Sequence, residues 1–356
     1  MSSKTDHDPS FEQRKKDHIR IALSPETQTA SLSGFDKINL HVDGLPNLNF
    51  SDVTLESNIF GSRFSSPFFI SSMTAGHSES IEINDFLAGL STDLNIFCGV
   101  GSQRKEIDDT TAQREWKTIR KSHPKAKLLG NLGASQLVRY KAEKVLQLIE
   151  NIEAFAFFIH FNSLQEVLQP EGTPDFSGAL DELARLIQKS PVPIIVKEVG
   201  SGFSQQNMKT LDQLGVAAID VAGLGGTHWG RVEGLRSKPK TMLAQTAETF
   251  SKWGKSTADC LIESSQIHVK CQIWASGGIR NGLDGAKMSA MGAKALGLAM
   301  PWMKIFTEHK KHKRTQAARD FYELLCYEMK VALFCTGSKT VSDLKGKAQW
   351  KKNPQI

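Results

Sequence analysis

The sequence predicts an α/β fold, a (β/α)8 TIM barrel with an N-terminal segment before it and a C-terminal helical extension after it. Eight short apolar or β-branched runs recur along the chain, and amphipathic helical patterns lie between most of them. Nearly all of the runs lack strict alternation, which is typical of parallel strands covered on both faces. Eight strands that are mostly followed by a helix favour one barrel over two doubly wound domains.

The eight predicted strands lie in the middle of the chain, so we expect the barrel over residues 67–301. They are 67–73, 95–100, 126–132, 155–161, 193–199, 217–223, 272–278 and 294–299. Helical patterns separate them, most clearly in YKAEKVLQLIENIE (140–153) and ALDELARLIQKS (179–190). In this fold the carboxyl ends of the strands carry the chemistry, and polar or glycine residues follow these runs.

Two segments flank the predicted barrel. Residues 1–66 form the N-terminal segment, with one or two short strands expected near VDGLPNLNFSDVTLES. Residues 302–356 form the C-terminal extension, in which 315–337 has the pattern of an amphipathic helix. Within the barrel, the glycines and mixed charges of 223–240 indicate a candidate lid between the sixth and seventh strands.

The composition is that of a soluble globular protein, with 40% hydrophobic and 23% charged residues. The longest strongly apolar stretch, Phe155–Phe161, is too short to cross a bilayer, and the first residues lack the apolar core of a secretory signal. Five scattered cysteines without a CxxC pair argue against disulfides or a structural zinc site. We therefore expect a cytoplasmic protein without a membrane partner.

The net charge of +6 is mildly basic and suits either nucleic acid or a small phosphorylated substrate. The basic runs 309–314 and 345–352 are expected to be solvated surface, because no nucleic-acid-binding fold accompanies them. We therefore predict a small-molecule substrate and no nucleic acid. A non-catalytic barrel that binds phosphate or nucleic acid through these runs is the alternative.

A glycine-rich loop after the seventh predicted strand indicates a phosphate site. In ASGGIRNGLDGAKMSAMGA (275–293), Gly277 and Gly278 allow backbone N–H groups to approach a phosphate closely. The short helix after the eighth strand can direct its positive end at the same point. Many barrel enzymes hold FMN or a sugar phosphate in this way, and a glycine-rich turn without a ligand is the alternative.

Lys197 ends the run PIIVK, where its side chain would point into the barrel mouth. It can form a salt bridge with Glu198 or a neighbouring acid, or it can stabilise the negative charge of a reduced flavin, which we favour. Hydroxyl, amide and backbone donors in SSMTAGH, GSQR and GNLG would form the walls of the cofactor site. Arg104 adds a planar fork that suits two phosphate oxygens.

Two further clusters carry polar groups. RKKDHI puts Arg14, Lys15 and His18 on one helical turn; the local sequence favours a solvated helix over a cationic clamp across the barrel mouth.

HFNSLQEVLQPEG (160–172) has no second His or Cys at zinc-ligand spacing. A single carboxylate such as Glu166 suits Mg²⁺, which completes its coordination shell with waters and phosphate oxygens. The alternative is a polar loop without a metal, in which the side chains hydrogen-bond to one another.

The sequence resembles the FMN-dependent, type 2 family of isopentenyl-diphosphate isomerases. HFNSLQEVLQPEG matches the HxNxxQExxQPEG motif of that family. The resemblance covers residues 14–301, in order, through RKKDH, SMTAG, GSQR, GNLG, PIIVKEVGSG, DVAGLGGTHW and ASGGIRNGLDGAK.

The resemblance implies a 1,3-allylic shift between isopentenyl and dimethylallyl diphosphate, in isoprenoid biosynthesis. Such a shift needs one proton delivered to an alkene carbon and another removed nearby, and no side chain here is an obvious acid of sufficient strength. Reduced FMN would supply a protonated ring position, Mg²⁺ would bind the diphosphate, and NAD(P)H would only prime the flavin. The family resemblance also suits a homo-oligomer, either a tetramer or an octamer.

The resemblance implies a role for individual residues. Gln165 would lie against the allylic carbons as the catalytic residue, and Glu166 would hold the metal. The residues that would bind the substrate are Arg14, Lys15, His18, Ser102, Arg104, His160, Asn162 and Gln165. The residues that would bind FMN are Ser72, Met73, Thr74, Ser102, Asn131, Lys197, Thr227, Gly277, Gly278, Arg280, Ala299 and Met300.

The sequence departs from the commonest family pattern at three positions, and one rival function shares the barrel. Ala75, Ala222 and His228 stand where glycine, serine and serine are usual, which puts the FMN contacts there in doubt. The rival is an FMN-dependent 2-hydroxy-acid oxidase or dehydrogenase, which needs an HGxR-like run near the seventh strand. GGTHWGR follows the sixth strand instead, and no such run occurs at ASGGIR.

Overall fold

The computed structural model describes residues 9–73 and 80–350 and begins with a helix, α1 (Pro9–Ala22). Three short strands follow: β1 (Ile38–Leu40), β2 (Ser57–Ile59) and β3 (Ser62–Phe64). β2 and β3 pair as an antiparallel hairpin. The first two strands flank the stretch near which the sequence predicts short strands.

Eight parallel strands close into a barrel, so the predicted fold class is confirmed. They are β4 (Phe68–Ile70), β5 (Phe97–Gly99), β6 (Lys127–Gly133), β7 (Ala156–His160), β8 (Ile194–Lys197), β9 (Ala218–Asp220), β10 (Gln272–Ser276) and β11 (Leu296–Leu298). Seven of the predicted runs each contain one of them, and the run 126–132 covers all of β6 except Gly133. Pairing of β11 with β4, with Leu296 opposite Phe68, closes the barrel.

Helices surround the barrel and occupy the loops at its mouth. They are α2 (Ser80–Asp93), α3 (Thr110–Ser122), α4 (Ala134–Asn151), α5 (Ser163–Leu168), α6 (Ala179–Lys189), α7 (Gln205–Leu214), α8 (Trp229–Arg236), α9 (Met242–Thr249), α10 (Thr257–Ser265) and α11 (Gly282–Ala290). Polar caps begin several of them: Ser204 accepts from the Asn207 N–H in a capping box at α7, and Asp109 caps α3. The candidate lid at 223–240 contains the short helix α8, and the rest of the segment is turn or irregular structure.

The C-terminal extension consists of α12 (Met300–Glu308), α13 (Lys311–Cys335) and β12 (Ala348–Trp350). The long helix begins four residues before the predicted start, and Gly337 follows it with a left-handed φ of 61°. β12 pairs antiparallel with β1, so the N-terminal segment and the C-terminal extension are joined in one small sheet.

Aromatic side chains fill the lower half of the barrel interior. Phe69 and Phe97 stack with ring centroids 4.7 Å apart, and the Trp274 ring lies 5.1 Å from Phe97. The β2–β3 hairpin covers this end, where Phe64 lies edge-on to Phe97. Because these rings are fully buried, the base of the barrel is a packed core and polar chemistry is confined to its opposite end.

The strand register aligns polar residues at that opposite end. His160 on β7 lies opposite Lys197 on β8, and Lys197 lies opposite Asp220 on β9. Gly133 on β6 is the neighbour of His160 on the other side. The register therefore sets an imidazole, an ammonium and a carboxylate on three consecutive strands at one level of the barrel.

All five cysteines are free thiols. Within residues 9–73 and 80–350, no helix has both the length and the apolar surface that a bilayer crossing requires.

Candidate active site

One large cavity opens at the carboxyl ends of the barrel strands. It encloses about 1650 Å³, including the part that is open to solvent. Strand ends, α1 and the loops at the mouth all contribute to its walls. Gln165 and Lys197 line the same cavity, so the two features that the sequence places at the centre of its chemistry face one space.

Nearly all of the residues predicted for the site line this cavity. They are Arg14, Lys15, His18, Ser72, Met73, Ser102, Arg104, Asn131, His160, Asn162, Gln165, Glu166, Lys197, Thr227, Gly277, Gly278, Arg280, Ala299 and Met300. Thr74 and Ala75 lie outside the described residues. The structure brings the other predicted site residues together around one space.

The glycine-rich loop after β10 has a backbone that only glycine adopts easily. Gly277 and Gly278 have φ values of 94° and 103°. A Cβ at Gly278 would lie 2.7 Å from the Gly225 carbonyl oxygen, and one at Gly277 would collide with the Gly223 carbonyl oxygen. These loops approach each other closely while one side stays open to the cavity, which suits a phosphate group.

Arg280 joins this loop to its neighbour. Its Nη1 donates to the Gly225 carbonyl at 2.9 Å and to the Gly278 carbonyl at 2.7 Å. Burial lowers the pKa of its guanidinium, but an arginine stays charged at any physiological pH. Arg280 therefore holds the glycine-rich loop against its neighbour and also adds positive charge to the cavity wall.

Lys197 is buried, at 7% exposure, and does not form the salt bridge with Glu198 that was the alternative in the sequence. Its Nζ donates to the backbone carbonyl of Glu198 at 2.5 Å. The Glu198 carboxylate instead accepts backbone N–H groups from the following turn, including those of Val199 and Gly200 at 2.6 and 2.7 Å. Burial lowers the pKa of Lys197, and the carboxylates of Asp220 and Glu198 oppose that shift.

The solvated helix favoured by the local sequence is wrong for α1. Arg14 and His18 are buried, at 7% and 5% exposure, and α1 packs against α8 across the cavity mouth. The His18 ring lies edge-on to Trp229 with centroids 5.4 Å apart. The contact partners lie more than 200 residues away in the chain, so the local pattern could not reveal them.

The HFNSLQEVLQPEG stretch forms a fixed hydrogen-bond network at the start of α5. Asn162 Nδ2 donates to Gln165 Oε1 at 3.1 Å and to Glu166 Oε1 at 3.0 Å. Gln165 Nε2 donates to Glu233 Oε1 at 3.2 Å. The Gln165 amide is thus held at both ends, which fixes its orientation toward the cavity.

Glu233 on α8 is the central acid of the mouth, and the sequence did not predict it. It is fully buried, His18 Nε2 lies 2.9 Å from its Oε1, and Arg236 Nε donates to its Oε2 at 2.9 Å. Burial alone would raise the pKa of Glu233, but His18, Arg236 and Gln165 together hold it below its usual range. Glu233 and Arg236 are three residues apart, a spacing that allows an ion pair along a helix. The glycines and mixed charges of 223–240 indicate a lid instead.

Further polar contacts join α1, α5 and α8. In the orientation that satisfies both neighbours, the Gln169 amide donates to Glu233 Oε1 at 3.2 Å and accepts from Arg14 at 3.3 Å. Arg236 also donates to the two carboxylate oxygens of Glu171 through its Nη1 and Nη2 atoms. Charged and amide side chains on three helices therefore form one network around the mouth of the cavity.

His160 is neutral in this setting. Its Nδ1 lies 2.8 Å from Asn131 Oδ1, while Asn131 Nδ2 donates to the Val100 carbonyl. The imidazole therefore carries its proton on Nδ1 and presents Nε2 as an acceptor. Burial, together with the charges of Lys197 and Lys15, lowers the pKa of His160 to about 3.

Few protein ligands are available for a metal ion. Among the residues that the structure describes, no group of three or more His, Cys, Asp or Glu side chains could hold an ion. The buried Asn162 Oδ1 has no hydrogen-bond partner and lies in the same network as Glu166. One carboxylate and one amide oxygen suit Mg²⁺ bound mainly through waters and substrate oxygens.

His228, which departs from the family pattern, turns away from the cavity and caps α8. Its Nδ1 accepts from the Arg231 N–H at 3.1 Å, and its Nε2 lies 3.0 Å from the Trp253 carbonyl. Burial lowers the pKa of His228, as a neutral cap requires. Ala222, by contrast, lines the cavity with a left-handed φ of 39°, and nothing in the structure explains why alanine stands there.

The sequence also missed cavity residues outside its motifs. Gln28 and Gln136 line the cavity although no quoted motif contains them. Gln28 Nε2 donates to Thr227 Oγ1 at 3.0 Å, a contact between the segment after α1 and the β9–α8 loop. Only long-range packing brings these side chains to the site.

Comparison with known proteins assigns the chain to a family. FMN-dependent dehydrogenases, as a family, match residues 139–351. A protein of Bdellovibrio bacteriovorus named isopentenyl-diphosphate delta-isomerase is 47% identical over 95% of this chain and 97% of its own. Proteins of the same name from Nostoc sp. and Ignicoccus hospitalis are 40% and 36% identical over 93% and 94% of this chain and 93% and 92% of their own.

Solved structures agree on the fold. A flavocytochrome b2 with benzoylformate covers 94% of this chain and 82% of its own, with a TM-score of 0.67 at 15% identity. A Pediococcus acidilactici lactate oxidase covers 99% of this chain and 96% of its own, with a TM-score of 0.63 at 16% identity. These likenesses extend to the fold alone, whereas the relatives identify the family: this chain is a member of the isopentenyl-diphosphate delta-isomerases, the isomerases of the FMN-dependent type 2 kind.

Proposed function

We propose that this chain isomerises isopentenyl diphosphate to dimethylallyl diphosphate in isoprenoid biosynthesis, with reduced FMN and Mg²⁺ as cofactors. The observation that carries the proposal is the single cavity shared by the glycine-rich loop, Lys197 and the Gln165–Glu166 pair. The glycine-rich loop and Lys197 suit the phosphate and the ring of a flavin. The Gln165–Glu166 pair suits a diphosphate ester with its metal, and both groups of residues line the same cavity.

The FMN would lie against the walls formed by β10, β11 and β8. The loop of Gly277 and Gly278 and the amino end of α12 would hold its phosphate through backbone N–H groups. Lys197 would place a positive charge beside the ring. When bound in reduced form, FMN supplies an electron-rich surface and a protonated ring position next to the alkene.

The diphosphate would be gripped from the α1 side of the mouth. Arg14, Lys15 and Arg104 bring positive charge to the cavity, and His18 and Asn162 add polar contacts. Burial, with the nearby Arg104 and Arg236 cations, lowers the pKa of Arg14, while Glu171 opposes that shift. An anion in this position would relieve the repulsion among the cations, which favours its binding.

Gln165 would orient the isoprenoid carbons without acting as a strong acid. Its amide oxygen is occupied by Asn162 and its amide nitrogen by Glu233, so the side chain presents a fixed polar edge to the cavity. The reaction adds a proton at one end of an allylic unit and removes one from the other end. A rigid amide beside that unit keeps the two carbons in place during both transfers.

Mg²⁺ would be held by Glu166 and the substrate oxygens, and a magnesium titration tests this role. Glu166 Oε2 already accepts the Thr173 N–H at 2.6 Å, so the carboxylate is fixed before metal binds. Glu166→Gln removes its charge and keeps its shape, and we expect it to raise the Mg²⁺ concentration for half-maximal rate about tenfold or more. An unchanged titration would remove Glu166 from the metal site.

Several further features belong to the same proposal. NAD(P)H would reduce the flavin at the start and would not be consumed with each turnover. The protein would work in the cytoplasm as a homo-oligomer, a tetramer or an octamer, without a nucleic-acid or membrane partner. The mild positive charge of the chain supports an acidic small-molecule substrate.

The experiment that tests the proposal measures turnover of isopentenyl diphosphate by the FMN-loaded protein with Mg²⁺ and a reductant. We expect conversion to dimethylallyl diphosphate and no consumption of oxygen with lactate or glycolate. Oxygen consumption with a 2-hydroxy acid, without isomer formation, would favour the oxidase. A colourless protein that FMN does not reconstitute, with RNA binding that survives moderate salt, would favour the non-catalytic barrel.

A further inference from the structure

A buried acid lies behind the cavity wall, outside the groups discussed so far. Glu106 is 5% exposed and sits in the 3₁₀ turn Lys105–Ile107, directly after the GSQR loop that carries Ser102 and Arg104. Its Oε1 accepts the Trp116 Nε1–H at 2.9 Å, and its Oε2 has no hydrogen-bond partner. A carboxyl group is costly to bury, so its presence here calls for a role.

Glu106 joins the loop to α3. Its backbone carbonyl accepts from Gln113 Nε2 at 2.6 Å, and its side chain accepts from Trp116, so two residues of α3 bind one residue of the turn. Its backbone N–H donates to the Gln103 carbonyl at 3.1 Å. The turn that follows Ser102 and Arg104 is thereby fixed from both sides.

The same contacts continue to the cavity wall. Gln103 is fully buried, and its Oε1 accepts the Asn131 N–H at 3.1 Å while its own N–H donates to the Asn131 carbonyl at 2.8 Å. The Gln103 Nε2 lies beside the Glu106 carboxyl and favours its charged form. Since Asn131 also contacts His160, a change at Glu106 reaches two walls of the cavity through Gln103.

We propose that Glu106 is a positioning residue that, in its protonated form, holds the Ser102–Arg104 loop in the geometry that binds an anionic substrate, and that its ionisation weakens this binding. This inference rests on the proposed function, because it assigns the loop to the diphosphate site. Glu106 does not touch the cavity; it acts through Gln103 and the loop.

The electrostatic sign supports this role. Burial raises the pKa of Glu106 to about 8, and the Trp116 N–H and the Gln103 amide oppose that shift. The charged groups that act on it are Glu115 on α3, which raises its pKa, and Lys105 on its own turn, which lowers it. α4 packs on the same turn through Tyr140, whose hydroxyl lies 3.4 Å from Asp108.

As the pH rises through the pKa of Glu106, about 8, the carboxyl changes from mostly neutral to mostly ionised. The ionised form adds a negative charge behind a wall that, in the proposed function, binds an anion. A like charge repels the anion, so the protonated form binds it more tightly. The affinity should fall as the pH rises through the pKa of Glu106.

The test measures binding of inorganic pyrophosphate to the FMN-loaded protein with Mg²⁺, by calorimetry between pH 6.5 and pH 9.5. In the wild type we expect the dissociation constant to rise on the order of threefold to tenfold across pH 8. Glu106→Gln keeps the shape and cannot ionise, so it should bind as the wild type does at pH 7 and lack most of this rise. Glu115→Gln is the matched control and should keep the size of the rise, with its midpoint moved slightly to lower pH because Glu115 raises the pKa of Glu106.

A second variant keeps the test informative. Trp116→Phe removes the N–H that stabilises the charged carboxylate, so the rise should move to higher pH. A rise in Glu106→Gln equal to that of the wild type, or one left in place in Trp116→Phe, would overturn the inference. Failure of the wild type to isomerise isopentenyl diphosphate would instead contradict the proposed function, whatever the pH profile.

Discussion

The Gln165 side-chain amide donates to Glu233 Oε1 over 3.2 Å, and His18 Nε2 lies 2.9 Å from the same oxygen. One buried carboxylate oxygen on α8 therefore contacts both a residue of α5 and a residue of α1. This contact sets the position of Gln165, the proposed catalytic residue, relative to His18, which is proposed to bind the diphosphate.

Removal of the Gln165 amide should abolish turnover without loss of the flavin. Gln165→Ala leaves Lys197 and the glycine-rich loop intact, so FMN should bind with wild-type affinity. We expect kcat to fall by a factor of about 10² or more, since a group that positions reacting atoms is lost. Flavin fluorescence measures binding, and product formation measures turnover. Normal turnover in this variant would exclude Gln165 from the mechanism.

Substitution of Glu233 should separate its charge from its packing. Glu233→Ala leaves His18, Gln165 and Arg236 without a buried acceptor, and we expect a loss of about 3–5 kcal/mol in the free energy of unfolding. Glu233→Gln retains an acceptor oxygen and should cost less stability while still lowering kcat. Urea unfolding and steady-state kinetics measure the two effects. An unfolding free energy of Glu233→Ala equal to that of the wild type would contradict a central role for this carboxylate.

A side chain at Gly278 should weaken FMN binding specifically. The residue has a φ of 103°, and a Cβ would approach the Gly225 carbonyl to 2.7 Å, so Gly278→Ala must displace the phosphate loop. We expect FMN affinity to fall by about tenfold or more. Gly292→Ala is a matched control, because Gly292 also has a positive φ, of 102°, but no atom within 4 Å of the added Cβ. Similar losses of affinity in both variants would argue against a phosphate cradle.

Protein stability should fall in mild acid because of buried neutral histidines. Burial lowers the pKa values of His18, His160 and His228, so the unfolded chain binds more protons below its ordinary histidine pKa of about 6.5. The stabilisation is complete above that pH and is lost progressively as the pH falls toward the folded values. Urea unfolding of the apo protein at pH 5 and pH 7 measures the difference.

A substitution at the α8 cap isolates one of these histidines. Asparagine also accepts a backbone N–H at a helix start but does not titrate, so His228→Asn should reduce the difference between the two pH values. The exposed His312 offers the control, and His312→Asn should leave the difference as it is. A difference unchanged by His228→Asn would mean that His228 does not contribute to the acid sensitivity.

The sequence predicted the barrel well because its evidence is local. Each strand is a short apolar run, and the residues after it become the rim of the site by the topology of the fold alone. Ser102, Asn131, His160 and Lys197 lie at or near the carboxyl ends of four different strands, yet they line one cavity, as the fold requires. Knowledge of the strands was therefore sufficient to place these residues together.

The missed features all depend on contacts between distant segments. Glu233 becomes central only because α1 and α5 pack on α8, and no pattern within 223–240 encodes that packing. The burial of Arg14 and His18 has the same origin, since a helix with three cations in one turn has the local pattern of a solvated surface. His228 could be identified as a departure from the family pattern, but its role as the buried cap of α8 depends on the positions of Arg231 and Trp253.

The most direct test of the central claim follows isopentenyl diphosphate in D₂O with the FMN-loaded protein, Mg²⁺ and a reductant. The account predicts dimethylallyl diphosphate that carries deuterium, formed with the reduced flavin and lost in Gln165→Ala. Unlabelled product, or conversion at the same rate without FMN, would show that the shared cavity does not perform the proton transfers proposed here.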